Sequence, residues 1–548
     1  MGENVVIDMK REIHKKEWAE KIPDRLEDLW IFAGICFVGI LWAVVVWSGE
    51  YTDRLAKNRY LLLFVLAFFG LAGGVYIFLK SKGQSRKTVA HPVLWLAVGY
   101  LFLYAVQLIW VNNVYFYTGW DVGLMRERAE WIINGGSIQG LSIDAGYSVY
   151  PNNLVLFYVF CLIEKCGTLF SMEEPYLLCI YLSCLCVDLS CFLGGLVLRR
   201  FTESGVVYGC YLLVSTVSIL FSPWIMIPYS DTFGMFFVML GLWGLVCVEQ
   251  KYLRWVVTAF ATVIGYQIKP SCLFLLFAVY MVFGVRYFFS LRKRWKELLF
   301  LVLCTVVFRG IGLLMPLWVQ HTYSFQLIPE MEITPIHYLM MGWNEETNGA
   351  FNGDDFWMST HIPDLETREQ TNKEEFVRRF EALREEKKLG EFLRAKALVN
   401  FNDGTFGWTK EGEFFKVRIE HDNMLWDWFC STYVPPGVWE NDGKYYPLFR
   451  TVAQTFWLLM LTGMLFVGFG RKKSRSQRAC MMIVVCGLFA FVMLFEARAR
   501  YIYLYSPLFL ILSLVGYEEA WSRLAATAEK LRPIDKTVAN IAQENVEK

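Results

Sequence analysis

Apolar stretches of about 20 residues recur along the chain, centred near residues 39, 70, 101, 158, 187, 214, 241, 261, 280, 308, 459, 486 and 509. That length of helix spans a bilayer core of about 30 Å, and in lipid only a helix or a closed barrel satisfies every backbone N–H and C=O internally. The pattern predicts an all-α polytopic membrane protein with about 12 to 13 transmembrane helices. The chain is 55% hydrophobic and 17% aromatic, too apolar for an ordinary soluble protein. A formal net charge of +1 gives no global field for nucleic acid, so the bilayer is the expected partner and charge acts locally.

Lys and Arg set the expected orientation. The N-terminus, "KSKGQSRK", "LRR", "EQKYLR", "RYFFSLRKRWK" and "RKKSRSQR" are basic, which places them and both termini in the cytoplasm of a multi-pass cell-membrane protein. The Asp121 segment, "SPWIMIPYSD", the long polar stretch 321–447 and "EARAR" then face outward. Three apolar segments separate Asp121 from Asp231, an odd number between two external points. "NNLVLFYVFCLI", after Pro151, is the shortest and is expected to be re-entrant or interfacial, leaving twelve spans. Pro270 in "GYQIKPSCLF" predicts a helical hairpin turning near the outer face with Lys269 at the turn. The organisation read from these signals is a cytoplasmic N-terminus with two spans (1–89), a transmembrane module (90–320) with a first external loop (113–150), an external soluble segment of mixed character (321–447), C-terminal spans (448–517) and a cytoplasmic tail (518–548). Within the soluble segment, "NKEEFVRRFEALREEKKLGEFLRAKALV" predicts one surface helix. Of 14 cysteines only Cys430 lies in the long polar stretch, so no disulfide framework is expected. The start has no signal-peptide pattern, and the first span is expected to be retained.

Charges at the membrane edge are costly and mark candidate chemistry. Asp121, in "WDVGLMRERAE", follows a span and precedes an amphipathic interfacial helix; it suits a general base, and the plainer reading is a helix cap. Asp231, in "PYSDT", opens a span with the same two readings. The pair makes only a weak metal signal, of the type suited to Mg or Mn, and no cofactor is otherwise implied. Arg498 and Arg500 in "FEARARYIYLYSP", with Glu496, form a fork suited to phosphate, or else snorkel at the interface. Asn344, Glu345 and Asn348 lie in "MMGWNEETNGAFNGDD", a loop rich enough in donors and acceptors to bind sugar, or simply solvated. Asp188 and Arg309 lie within spans.

In their order and sidedness, Asp121, "YPNN" (Tyr150 to Asn153), "PYSDT", "IKPS" (Ile268 to Ser271) and "EARARYIYLYSP" resemble the GT-C class of integral-membrane glycosyltransferases. The resemblance covers about 90–517 and is nearest to glycosyltransferase family 39, which includes protein O-mannosyltransferases and lipid A aminoarabinose transferases; the "MGWNEETNG" loop is similar to that of Gram-positive members. It implies transfer of a sugar from a polyprenyl-phosphate donor to an envelope glycan, lipid or protein acceptor on the extracytoplasmic side, with inversion. Under it Asp121 and Asp231 are catalytic, Asp121 as base; Lys269, Arg498 and Arg500 take the donor phosphate; Tyr150, Asn152, Asn153, Asn344 and Glu345 bind substrate. "YPNN" departs from the "P-P-L" stretch of the mannosyltransferases, and the two spans before residue 90 are additional. The competing reading is a multi-pass transporter or flippase of a lipid-linked or polar substrate, using Asp188, Arg309 and Lys269 along a midplane path.

Overall fold

The computed structural model describes residues 2–48, 54–82, 92–137, 143–289, 291–408, 410–411, 419, 421–438, 442–469 and 474–531, and among them the chain is helix and turn without strand. The basic loop 83–91, residues 470–473 and the tail beyond 531 lie outside the described residues. The N-terminal half comprises α1 (Gly2–Ser48), α2 (Asn58–Ser81), α3 (Pro92–Val114), α4 (Trp120–Ile133), α5 (Ile143–Val149), α6 (Leu154–Leu169), α7 (Tyr176–Leu198), α8 (Gly205–Ser215), α9 (Ser230–Cys247), α10 (Lys251–Gly265), α11 (Leu273–Phe289) and α12 (Leu291–Thr322). Then follow α13 (Pro335–Met341), α14 (Gly353–Thr360), α15 (Leu365–Glu385), α16 (Leu389–Phe401), α17 (Met424–Tyr433), α18 (Tyr446–Met464), α19 (Arg475–Leu494), α20 (Arg500–Tyr503) and α21 (Ser506–Leu531). Every predicted apolar centre falls inside a helix. Nine described helices are long and apolar enough to cross a membrane; α8 with the π-turn Thr216–Leu220 that prolongs it, α10, α18 and α21 are shorter or more polar.

One of the nine, α6, has both ends tied to the chain around Asp121. The residue before α6, Asn153, reaches Asp121, with Nδ2 3.5 Å from Oδ2. At the other end a Cβ on Gly167 would lie 2.4 Å from Pro175, and Tyr117, just before α4, donates to Glu174 (2.5 Å) and packs edge-on against Tyr176. Both ends of α6 therefore stay on the face that carries Asp121, and the helix lies beside α4, although with its leading turn it is long enough to count among the nine. Without α6, the eight remaining long helices and the four shorter or more polar ones number twelve, the count read from the sequence, and Asp231 lies on the face of Asp121 after α7 and α8.

The opposite face is tied by ion pairs: Arg200 to Glu249 (3.1 Å), Arg286 to Glu27 (2.7 Å), Arg475 to Asp24 (3.0 Å) and Arg478 to Glu519 (2.6 Å). Glu27 near the start of the α1 span and Glu519 near the end of α21 thus share one face. Between the faces, α18 and α21 cross closely because both are glycine at the crossing. A Cβ on Gly463 would meet Ser513 Oγ at 2.1 Å, and one on Gly516 would meet the Gly463 carbonyl oxygen at 2.1 Å.

The long polar stretch 321–447 differs from expectation at one point. The predicted surface helix is two helices, broken where Lys387 adopts a left-handed φ of 59° and Lys388 N–H closes on the Leu383 carbonyl at 2.9 Å, a Schellman-type end. The second helix is not a surface element: Phe392, Lys396, Ala397 and Phe401 of α16 are buried. Trp343, Leu383 and Phe392 form a small separate core here.

Candidate active site at the helix ends

The chain enters the site through a strained turn. Trp120 has φ 56°, a conformation a bulky residue adopts only when its surroundings enforce it. Gly123 allows the turn, since a Cβ there would lie 2.3 Å from the Thr118 carbonyl oxygen. Asp121 stands in the first turn of α4, whose N-cap is Gly119, with no side-chain cap. Its carboxylate is therefore not spent on capping: Oδ2 accepts from Tyr229 Oη at 2.5 Å and faces Asn153.

Asp231 follows the same logic. The N-cap of α9 is Tyr229, and both Asp231 oxygens face cations, Oδ1 receiving Lys269 Nζ at 2.5 Å and Oδ2 lying 3.2 Å from Arg500 Nε. The Lys269 ammonium also lies 4.5 Å from the Tyr501 ring centre. Burial, then the nearby Arg500 and Arg498, lower the pKa of Lys269, and Asp231 alone opposes them. The predicted turn before Pro270 thus exists and delivers Lys269 to Asp231.

"EARAR" forms the third wall. Arg500 lies over the Tyr229 ring at 5.2 Å, between Asp231 and Glu411. Arg498 makes a two-pronged pair with Glu411, both bonds 2.8 Å, and lies 4.8 Å from the Trp120 ring centre. Glu496 accepts from Tyr501 Oη at 2.9 Å and sits 3.7 Å from Arg498. Burial opposes the Glu411 charge, yet Arg500 and Arg498 together hold its carboxyl below the usual range.

Sequence reasoning missed Glu411 and Tyr229. Glu411 sits in "TKEGE", which carries no motif; it is placed by the buried loop after α16, where Asp403 accepts from Thr405 N–H (3.0 Å) and Gly407 N–H (3.2 Å). Gly407 takes φ 79°, and a Cβ there would come within 3.3 Å of Arg500 N. Tyr229 stands one residue before the "SDT" that drew attention.

The other predicted residues divide. Tyr150 joins the site's rim, stacked on Phe356 (6.4 Å, 13°); burial first, then Asp121 and Glu496, raise its pKa. Asn152 donates to Asn153 at 3.3 Å. Asn344 is buried and donates to Asp355 (3.0 Å), itself held by Arg379, while Glu345 pairs with Lys388 at 3.2 Å on the far side of the loop. The loop still touches the site through its backbone, Ala497 N–H donating to the Gly349 carbonyl at 2.7 Å. No described group of three His, Cys, Asp or Glu is arranged to hold a metal ion, and because Asp231 faces two cations, a divalent ion bridging it to Asp121 does not fit.

Four carboxyls meet three cations here. Asp231, Glu411 and Glu496 each have a cation partner; Asp121, among the described residues, has only neutral ones. No curated protein and no solved structure matches the chain. A protein-family model matches it over residues 30–521, which takes in every helix that builds this site. The chain belongs to that family, described as conserved hypothetical integral membrane protein.

Proposed function

We propose that the protein is a membrane glycosyltransferase that moves a sugar from a polyprenyl-phosphate donor to an acceptor hydroxyl, with Asp121 as the general base. The observation that supports this most is the arrangement of Asp121: half-buried at a helix end, held by neutral donors, and one side chain away from a cluster of buried cations. A base must stay free to take a proton, so a carboxylate hydrogen-bonded by Tyr229 suits the role better than Asp231, which is committed to Lys269 and Arg500. Arg498 and Lys269 retain some exposed surface and would meet the donor phosphate, while Arg500, deeper, fixes Asp231 and Glu411. A phosphate is already a good leaving group, so positioning, charge stabilisation and one base suffice for inversion.

Transport through a midplane path would need Asp188, Arg309 and Lys269 together. Lys269 is instead bound to Asp231, and Arg309 lies over the Tyr266 ring at 4.9 Å on an exposed stretch of α12.

The test is transfer from radiolabelled polyprenyl-phosphate sugars in membranes, with acceptor extracts of the envelope. Asp121→Asn should cut the chemical step by roughly 10²–10⁴-fold with the fold intact. Transfer at the wild-type rate under chemistry-limited conditions removes Asp121 as base, and absence of transfer from every donor tried, by wild type, removes the reading.

A further inference from the structure

Away from the helix-end site, one carboxylate lies in the body of the bundle. Asp188 stands midway along α7, 4% exposed, and neither of its oxygens has a hydrogen-bond partner. Gln107 of α3 lies beside it, fully buried; its Nε2 donates to the Leu220 carbonyl at 2.7 Å, and its Oε1 is also without a partner. The Asp188 carboxylate therefore faces a neutral amide and no cation.

The groups facing Asp188 supply no charge to balance it. They are Tyr100 and Tyr104 of α3, Cys184 and Cys191 of α7, and Tyr503 of α20. Each hydroxyl is engaged elsewhere: Tyr100 with Ser215 (3.0 Å), Tyr104 with the Tyr181 carbonyl (3.2 Å) and Tyr503 with the Ile219 carbonyl (3.0 Å). No Lys, Arg or His is among them. An uncompensated carboxylate at this depth is costly enough that something of charge +1 must accompany it.

We propose that Asp188, with the Gln107 amide beside it, is an intramembrane binding site for one small monovalent cation, a proton or a sodium ion on the carboxylate. Either ligand satisfies the charge and the orphaned oxygens at once; in the proton case an O–H bond forms from a solvent proton and nothing is oxidised or reduced. The site shares its walls with the π-turn Thr216–Leu220, whose last two carbonyls bind Tyr503 and Gln107. Short π-segments concentrate at functional sites, and Tyr503 stands three residues after Arg500, so the Asp188 site adjoins the short helix that opens on one cation of the helix-end site.

Infrared spectroscopy and thermal unfolding of the purified full-length protein, in sodium-free and sodium-containing buffer, test this. A bound proton gives a protonated-carboxyl C=O band at neutral pH that shifts in D₂O, moves when wild-type protein carries [4-¹³C]aspartate, and is absent in Asp188→Asn. A bound sodium ion gives a sodium-dependent rise in Tm that potassium does not reproduce and Asp188→Asn abolishes. Should Asp188→Asn fail to fold, Asp188→Glu keeps the carboxyl and takes its band out of the [4-¹³C]aspartate-sensitive set; a band or sodium effect that Asp188→Glu leaves unchanged comes from another carboxylate and overturns the proposal. Wild type with neither an aspartic-acid band nor a sodium effect overturns the proposal.

Discussion

Asp121 and Asp231 each occupy the second position of a helix, where an acid is favoured by the helix dipole whether or not it has further work. Position in the sequence offers capping and chemistry for both and favours capping, because each acid stands at a helix start. The difference lies in the partners, which come from distant chain: Asn153 and Tyr229 for one, Lys269 and Arg500 for the other. Arg498 gives the sharpest test at this scale. Its two 2.8 Å bonds to Glu411 need the planar fork. Arg498→Lys, keeping the charge but not the fork, should raise the donor KM by about tenfold, a loss near 1.4 kcal/mol, and Arg498→Ala by more; initial rates against donor concentration check it, and equal KM values for Arg498→Lys and wild type would refute the role.

Turns, more than helices, position these side chains. Gly123→Ala places a methyl 2.3 Å from a backbone oxygen that cannot rotate away, so it should cost about 1–3 kcal/mol and lower kcat with little change in donor KM; thermal unfolding and initial rates report the two effects. Pro270 announced its turn through ring chemistry, whereas the break at Lys387 puts a lysine in the left-handed position, and the nearby Gly390 falls inside the next helix, so the stretch read as continuous helix. The helix beyond that break buries Lys396, whose Nζ donates to the Gly342 carbonyl behind the "EARAR" strap. Burial, opposed by Glu496, lowers its pKa to about 7. The unfolded chain, with lysine near 10.4, binds the extra proton between these values, so this group makes stability rise with pH from about 7 to about 10.4, by a few kcal/mol in all, and is flat on either side. Lys396→Met should flatten that slope in Tm against pH; an unchanged slope would show that Lys396 is not its source.

The thirteen apolar runs made the all-α membrane architecture legible, because lipid allows so few alternatives, and the odd number of segments between Asp121 and Asp231 made one of them suspect. Which groups complete the site was not legible, since Glu411 reaches Arg498 and Arg500 from a loop with no motif. The same topology makes a prediction that involves no chemistry. If α6 lies flat, residues before and after it share a face, and Glu249, paired with Arg200, is on the other. In a Cys166→Ser background, Asn152→Cys and Ser171→Cys should react with a membrane-impermeant maleimide from one side of sealed vesicles, as should Glu345→Cys, while Glu249→Cys should react only from the other. Were Ser171→Cys to label from the side opposite Asn152→Cys, with Glu249→Cys on the side of Asn152→Cys, α6 would be a true span, Asp121 and Asp231 would end on opposite faces, and the site joined by Tyr229 could not form.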